Sequence, residues 1–241
     1  MISMMRLLVS TEVPITLEWI RSLSTLAACL VALAVALWGE SMKRWFYKPK
    51  LDLEALVRRP DAEKVMREAV TLDSYDEPMT TRFEAWFFRL AISNLSKTPA
   101  REVQVYLKRI EKADGTVVAK FTPMHLKWTN TTSTTRKVLL KELPILCDFI
   151  HVSDPQYRPQ HGENLGDVPT GRAIMCLDVE ATNTAQGHLL GPGAYRFYLY
   201  VAAENSPARD FTVEVRYDGT WTTNQDQMFD QEIGFRMKKL T

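Results

Sequence analysis

Hydrophobic positions divide the chain into two regimes. From Leu23 to Trp38 they run on with no charge between them, and from Lys50 onward they alternate with polar residues. A helix from Trp19 to Trp38 would be roughly 28 Å long at ~1.5 Å per residue, close to the ~30 Å hydrocarbon thickness of a bilayer. The two tryptophans sit where an interfacial aromatic belt belongs, with the indole body in lipid and its N–H among headgroups. This pattern predicts a short tail over 1–18, a transmembrane helix over 19–42, a basic aromatic juxtamembrane segment over 43–49 and a folded domain over 50–241.

Charge near the span sets the expected orientation. Arg6 and Arg21 lie before it, whereas Lys43, Arg44, Lys48 and Lys50 follow it, so the C-terminal domain is expected on the cytoplasmic side of a single-pass anchor. Trp19, Trp38, Lys43 and Arg44 are thus the anchor residues, and the lipid bilayer is the first partner. A cleaved signal peptide is the competing reading, since Ala34 and Ala36 give an A-x-A spacing near the end of the apolar run. In that case the domain would be an exported binding module. Ser24, Ala28, Ala32 and Ala36 recur every four residues and share one helix face, the spacing that lets two membrane helices pack closely into a homodimer.

Beyond the anchor the period is two. Leu51, Leu53, Ala55 and Val57 fall on one side of a first strand. Residues 60–70 read instead as a short helix, with Pro60 at its first turn, Asp61 and Glu63 near its positive end, and Glu63 four residues before Arg67. Strand character then returns at Trp86, Phe88, Leu90 and Ile92 and at Val103, Val105 and Leu107, followed by an Asp114-Gly115 turn into 117–121. Further strands are expected over 138–143, 147–152, 173–179, 195–202, 211–217 and 233–237. Short alternating strands with no long amphipathic helix between them predict a mainly β fold, an antiparallel sandwich. An internal echo, Pro99 to Leu107 against Pro207 to Val215, suggests two hairpins built alike.

Composition narrows the partners. From Lys43 to the end, 28 basic residues face 26 acidic ones, which is no electrostatic footprint for nucleic acid. The cysteines are Cys29 in the span and Cys147 and Cys176 in the domain, few enough to fit a reducing compartment; a Cys147–Cys176 bridge is the alternative in an exported domain.

Candidate chemistry is sparse. Cys147, Asp148, His151, Asp154 and His161 are all metal-ligating types. In a regular strand Cys147 and His151 would share a face roughly 13 Å apart, too far for one ion. A metal-dependent enzyme built on this region is therefore the minor alternative. No nucleophile or nucleotide-binding motif stands in the sequence, and neither catalysis nor a cofactor is expected. The loop over 153–171 has no periodicity, and Tyr157 and Arg158 in it are the candidate contacts for an unidentified protein partner. Tyr198 and Tyr200, facing away from Tyr195, Phe197 and Leu199, form an aromatic stripe on the outer side of their strand.

Arg89-Leu90-Ala91-Ile92-Ser93-Asn94 followed by Pro99-Ala100-Arg101-Glu102-Val103-Gln104-Val105 is similar to the paired-strand signature of immunoglobulin-like, CARDB-like sandwiches of the bacterial adhesion type. Leu126-Lys127-Trp128, the strand from Cys147 to His151 and Gly193-Ala194-Tyr195 look like membrane-anchored bacterial proteins of that build. The resemblance implies an immunoglobulin-like scaffold for binding and spacing, and it brings no catalytic residue. The expected function is a single-pass, membrane-anchored binding or assembly module.

Overall fold

The computed structural model describes residues 15–46, 48–72, 78–157, 165–181 and 186–239. It separates into two compact units, 1–47 and 48–241. The first holds one helix, α1 (Ile15–Phe46), which runs past both tryptophans and takes in Lys43 and Arg44. Within it Ser22–Gly39 is long and apolar enough to cross a membrane, a test that a signal sequence near the N-terminus also passes.

The second unit is an antiparallel β-sandwich of two six-stranded sheets. The first sheet contains β1 (Leu51–Ala55), β2 (Ala62–Leu72), β3 (Pro78–Asn94), β7 (Ile145–Ser153), β8 (Met175–Leu177) and β9 (Leu189–Leu190). The second contains β4 (Ala100–Lys112), β5 (Met124–His125), β6 (Thr135–Leu139), β10 (Gly193–Ala203), β11 (Ser206–Tyr217) and β12 (Ile233–Lys239). Each sheet is built on one long strand flanked on the same side by two others set end to end. β1 and β2 divide the edge of β3, and β5 and β6 divide the edge of β4.

Alternation fixes which face is buried. Trp86, Phe88, Leu90 and Ile92 of β3 and Phe197, Leu199 and Val201 of β10 all point into the core, as do Phe211, Val213 and Val215 of β11. Each such side chain contributes about 1.5–3 kcal/mol relative to exposure. Aromatic edges join the layers: Phe149 meets Phe197 at 5.0 Å, and Phe88 meets Phe235 at 5.5 Å. Between Met124 and Thr129 the chain passes from one sheet to the other, with Leu126 N–H donating to Val105 and Lys127 N–H to Asp178. The segment closes one side of the sandwich with two isolated bridges, Leu126 to Val179 and Trp128 to Cys147.

Three expectations need correction. Residues 60–70 are not helical; β2 pairs along its whole length with β3. The Glu63 to Arg67 spacing suits a helix, but Val65, Val70 and Thr71 suit a strand equally, and the free edge of β3 decides the outcome. The Asp114-Gly115 turn forms, with Gly115 at φ +85°, yet the returning segment makes a single bridge, Glu111 to Val117, and no strand. Finally, Cys147 and His151 do not share a face. The register between β3 and β7 shifts at Phe88/Arg89, so β7 carries one extra residue, Phe149. This bulge sends Cys147 inward opposite Leu90 and His151 outward opposite Phe87.

Candidate functional site

The outer face of the first sheet carries two polar clusters, and neither could be read from local sequence. In the first, Arg89 on β3 is almost fully buried and donates through Nε to Asp148 Oδ1 and through Nη1 to Glu63 Oε2, both at 3.1 Å. Thr129 Oγ1 also donates to Asp148, at 2.7 Å. Burial nonetheless holds the Asp148 carboxyl above its ordinary range, outweighing the Thr129 hydrogen bond and the Arg89 charge.

The second cluster centres on His151. Its Nδ1 lies 3.0 and 3.1 Å from the two carboxylate oxygens of Asp178. Its Nε2 lies 2.6 Å from Arg67 Nη1. Phe87 stacks on the imidazole at 5.1 Å, and the Arg67 guanidinium lies over the rings of Phe83 and Phe87. A guanidinium can only donate, so in the singly protonated ring Nε2 accepts from Arg67 while Nδ1–H donates to Asp178. Burial opposes a second proton on this ring, but the Asp178 carboxylate and the neighbouring Cys176 outweigh it and hold the imidazole well above the ordinary histidine range. That proton and Arg67 compete for the same nitrogen.

Cys176 is buried in a small apolar cluster with Ile174 and Leu189, against which Leu165 and Val168 pack. Cys147 lies in the core, its thiol donating to Lys127 O, and burial pushes it well above the ordinary thiol range. Both domain cysteines are free thiols, and they point to opposite faces of the first sheet, so a bridge between them has no geometric basis. Among the described residues no three His, Cys, Asp or Glu side chains converge to hold a metal ion.

The outer face of the second sheet offers a groove of about 420 Å³. Its floor is made of small residues, Ala194 and Gly234, that fall beside Arg216 in one row across β10, β11 and β12. Exposed Lys112, Arg216 and Arg236 stand around it. Arg196 is tied to Glu214 at 3.1 Å. Small residues on either side of Arg216, next to the longer Arg196 and Arg236, leave the hollow.

No family model matches the chain, and neither a curated protein nor a solved structure matches it. The residues alone therefore carry the functional reading. Trp19 and Trp38 are exposed on α1, as are Ser24, Ala28, Ala32 and Ala36. Tyr157 ends a single helical turn over 155–157 and is half-buried, its ring 6.2 Å from Phe83. Arg158 and His161 lie outside the described residues. The Tyr198 and Tyr200 stripe is already covered, by Arg109 at 4.2 Å and Lys108 at 5.3 Å. Sequence reasoning missed Arg67, Arg89 and Asp178, and it missed the basic groove. Only the groove left a signal, an arginine at alternate positions on adjacent predicted strands.

Proposed function

We propose that the chain is a single-pass, membrane-anchored binding module whose immunoglobulin-like sandwich lies on the cytoplasmic side and captures an acidic segment of a protein partner in the groove of the second sheet. The observation that carries the reading is α1: none of the residues in its 18-residue apolar stretch is buried, and only residues 47–50 lie between α1 and β1. An apolar helix left wholly exposed needs a bilayer to cover it. The free thiols of Cys147 and Cys176 support a reducing compartment. Anchoring raises the local concentration of the domain, so modest affinity at the groove suffices.

The resemblance to CARDB-like bacterial sandwiches fits this reading in kind, since that build serves as a scaffold for binding. The groove supplies the partner chemistry, with Lys112, Arg196, Arg216 and Arg236 set against Glu214.

The anchor is tested by alkaline carbonate extraction and by protease treatment of intact cells. Full-length chain should stay in the membrane pellet, and the sandwich should be cut only after the membrane is opened. A soluble chain trimmed after residue 36, or a domain digested from outside, would overturn anchor or orientation respectively. For the groove, Arg216→Glu with Arg236→Glu should abolish retention of the detergent-solubilised chain on an immobilised poly-glutamate resin. Retention unchanged from the parent would exclude the groove.

A further inference from the structure

We infer that the end of the sandwich where the chain enters is itself a membrane-binding surface, in which leucines at neighbouring turns dip into an anionic bilayer surface; the inference rests on the membrane anchor proposed above. Four turns and strand starts meet at this end. Leu95 N–H donates to Lys50 O at 2.9 Å, Glu142 N–H donates to Asn94 O at 3.2 Å, and Ser206 Oγ donates to Pro49 O at 2.8 Å. Asn94, fully buried, shapes the turn. Its Nδ2 donates to Thr98 O and Leu139 O, and its Oδ1 accepts from Ser96. The backbone around Leu95 and Leu140 is thus held in place from inside.

Turns of this kind normally present polar tips, yet here they present Leu95, Leu140 and Leu143, exposed by 47%, 48% and 58%. A single exposed leucine needs no explanation; three on touching turns make an apolar patch. Basic residues surround it. Lys48, Lys50 and Lys97 are exposed, and Lys141 pairs with Glu142. The carboxylates of Glu102 and Glu204 are exposed at the same end, so the surface is basic without being uniformly so. Leucines ringed by lysines suit an interface that is apolar a few ångströms below a layer of negative headgroups.

Chain length decides the occupant. Only residues 47–50 separate the end of α1 at Phe46 from β1 at Leu51. At ~3.5 Å per residue, the first residue of β1 is held within about 17 Å of the end of α1. With α1 in a bilayer, the lipid surface lies within reach of these turns at all times, and no other partner has that standing concentration.

The test uses the full chain in nanodiscs of phosphatidylcholine with or without phosphatidylserine. Cys29→Ser removes the exposed thiol, while Cys147 and Cys176 are buried. A fluorophore is then attached at Leu143→Cys or, as control, at Asp114→Cys beyond the far end of β4, about 40 Å away along the strand. At position 143 the probe should be quenched by lipids brominated high on the acyl chain and shielded from iodide, more so with phosphatidylserine; at 114 the reverse. Lys48→Gln with Lys97→Gln should lower the docking equilibrium constant about fivefold per lysine in phosphatidylserine discs. Chain retained on the disc with position 143 as open to iodide as position 114 overturns the docking surface alone. Chain that leaves the disc overturns the anchor, and this surface with it.

Discussion

Replacing Arg89 by methionine should destabilise the sandwich by about 3–5 kcal/mol, because it strands a carboxylate in a site built around a cation. The Arg89 side chain is 9% exposed and its partner Asp148 18%, whereas its other partner Glu63 is 49% exposed. Solvent screens the Glu63 pair to about 0–1 kcal/mol, so nearly all of the loss belongs to Asp148. Asp148→Asn should cost less, about 1–2 kcal/mol, since Arg89 keeps Glu63 and Pro60 O as acceptors and both Arg89 and Thr129 can still donate to the amide oxygen. The expected order of damage is Arg89→Met, then Asp148→Asn, then Glu63→Gln. Urea unfolding of the chain in detergent, followed by near-ultraviolet circular dichroism, measures all three, and for a domain of this size Arg89→Met should lower Tm by about 6–20 °C. Acidification supplies an internal check. Without Arg89 one of the influences lowering the Asp148 pKa is gone, so the variant's deficit should shrink as pH falls and Asp148 takes up its proton. Equal losses for Arg89→Met and Glu63→Gln, or a deficit that grows in acid, would refute the reasoning.

His151 binds protons more tightly folded than its ordinary value of 6.5 allows, so its stabilising contribution is complete below that pH and is lost as pH rises through the raised folded value. Asp178→Asn should therefore flatten or invert this loss of stability with rising pH; unfolding curves with the parent's pH slope would contradict it. Gly187→Ala puts a Cβ 2.0 Å from Lys120 O and 2.7 Å from Phe121 Cα, both backbone, and should cost about 2–3 kcal/mol, whereas Gly115→Ala meets open space at φ +85° and should cost about 1 kcal/mol, as denaturation midpoints will show. Ala28→Leu with Ala32→Leu should abolish crosslinked dimer in membranes if two copies meet through the face of Ser24, Ala28, Ala32 and Ala36, and an undiminished dimer band would exclude that face.

What could be read from sequence was what depends on neighbours close along the chain. The run from Leu23 to Trp38 declares α1, and the alternation at Trp86, Phe88, Leu90 and Ile92 declares β3, because a half-buried strand repeats its environment every second residue. Residues 62–72 hold both periods at once, and only the length of β3, invisible locally, makes them a strand. The bulge at Phe149 shows the same limit. Nothing in the run from Cys147 to His151 announces the extra residue that turns the two side chains to opposite faces; it exists because β7 must keep register with β3. The clusters are less legible still, since His151 finds Arg67 at a separation of 84 residues and Asp178 at 27. The echo between Pro99 and Pro207 proved to have a physical link: Asn205, just before the second copy, bonds Pro99 O and Arg101 N–H in the first.

These long-range pairings also limit where recognition can occur. An outward aromatic such as Tyr198 reads as a docking residue in sequence, but in the sandwich several such rings are occupied by a cation from an adjoining strand: Arg109 on Tyr198, Lys108 on Tyr200, Arg67 on Phe83 and Phe87. Each contact is worth about 0.5–1 kcal/mol at exposed sites, and a ligand seeking the ring must displace it. Tyr198 is fixed a second time by its hydroxyl, which donates to Glu111 at 2.6 Å. Faces that satisfy themselves in this way make poor docking surfaces. Among the described residues, groups left facing outward with little to hold them include Lys112, Arg216 and Arg236 at one end of the second sheet and Leu95, Leu140 and Leu143 at the opposite end of the sandwich.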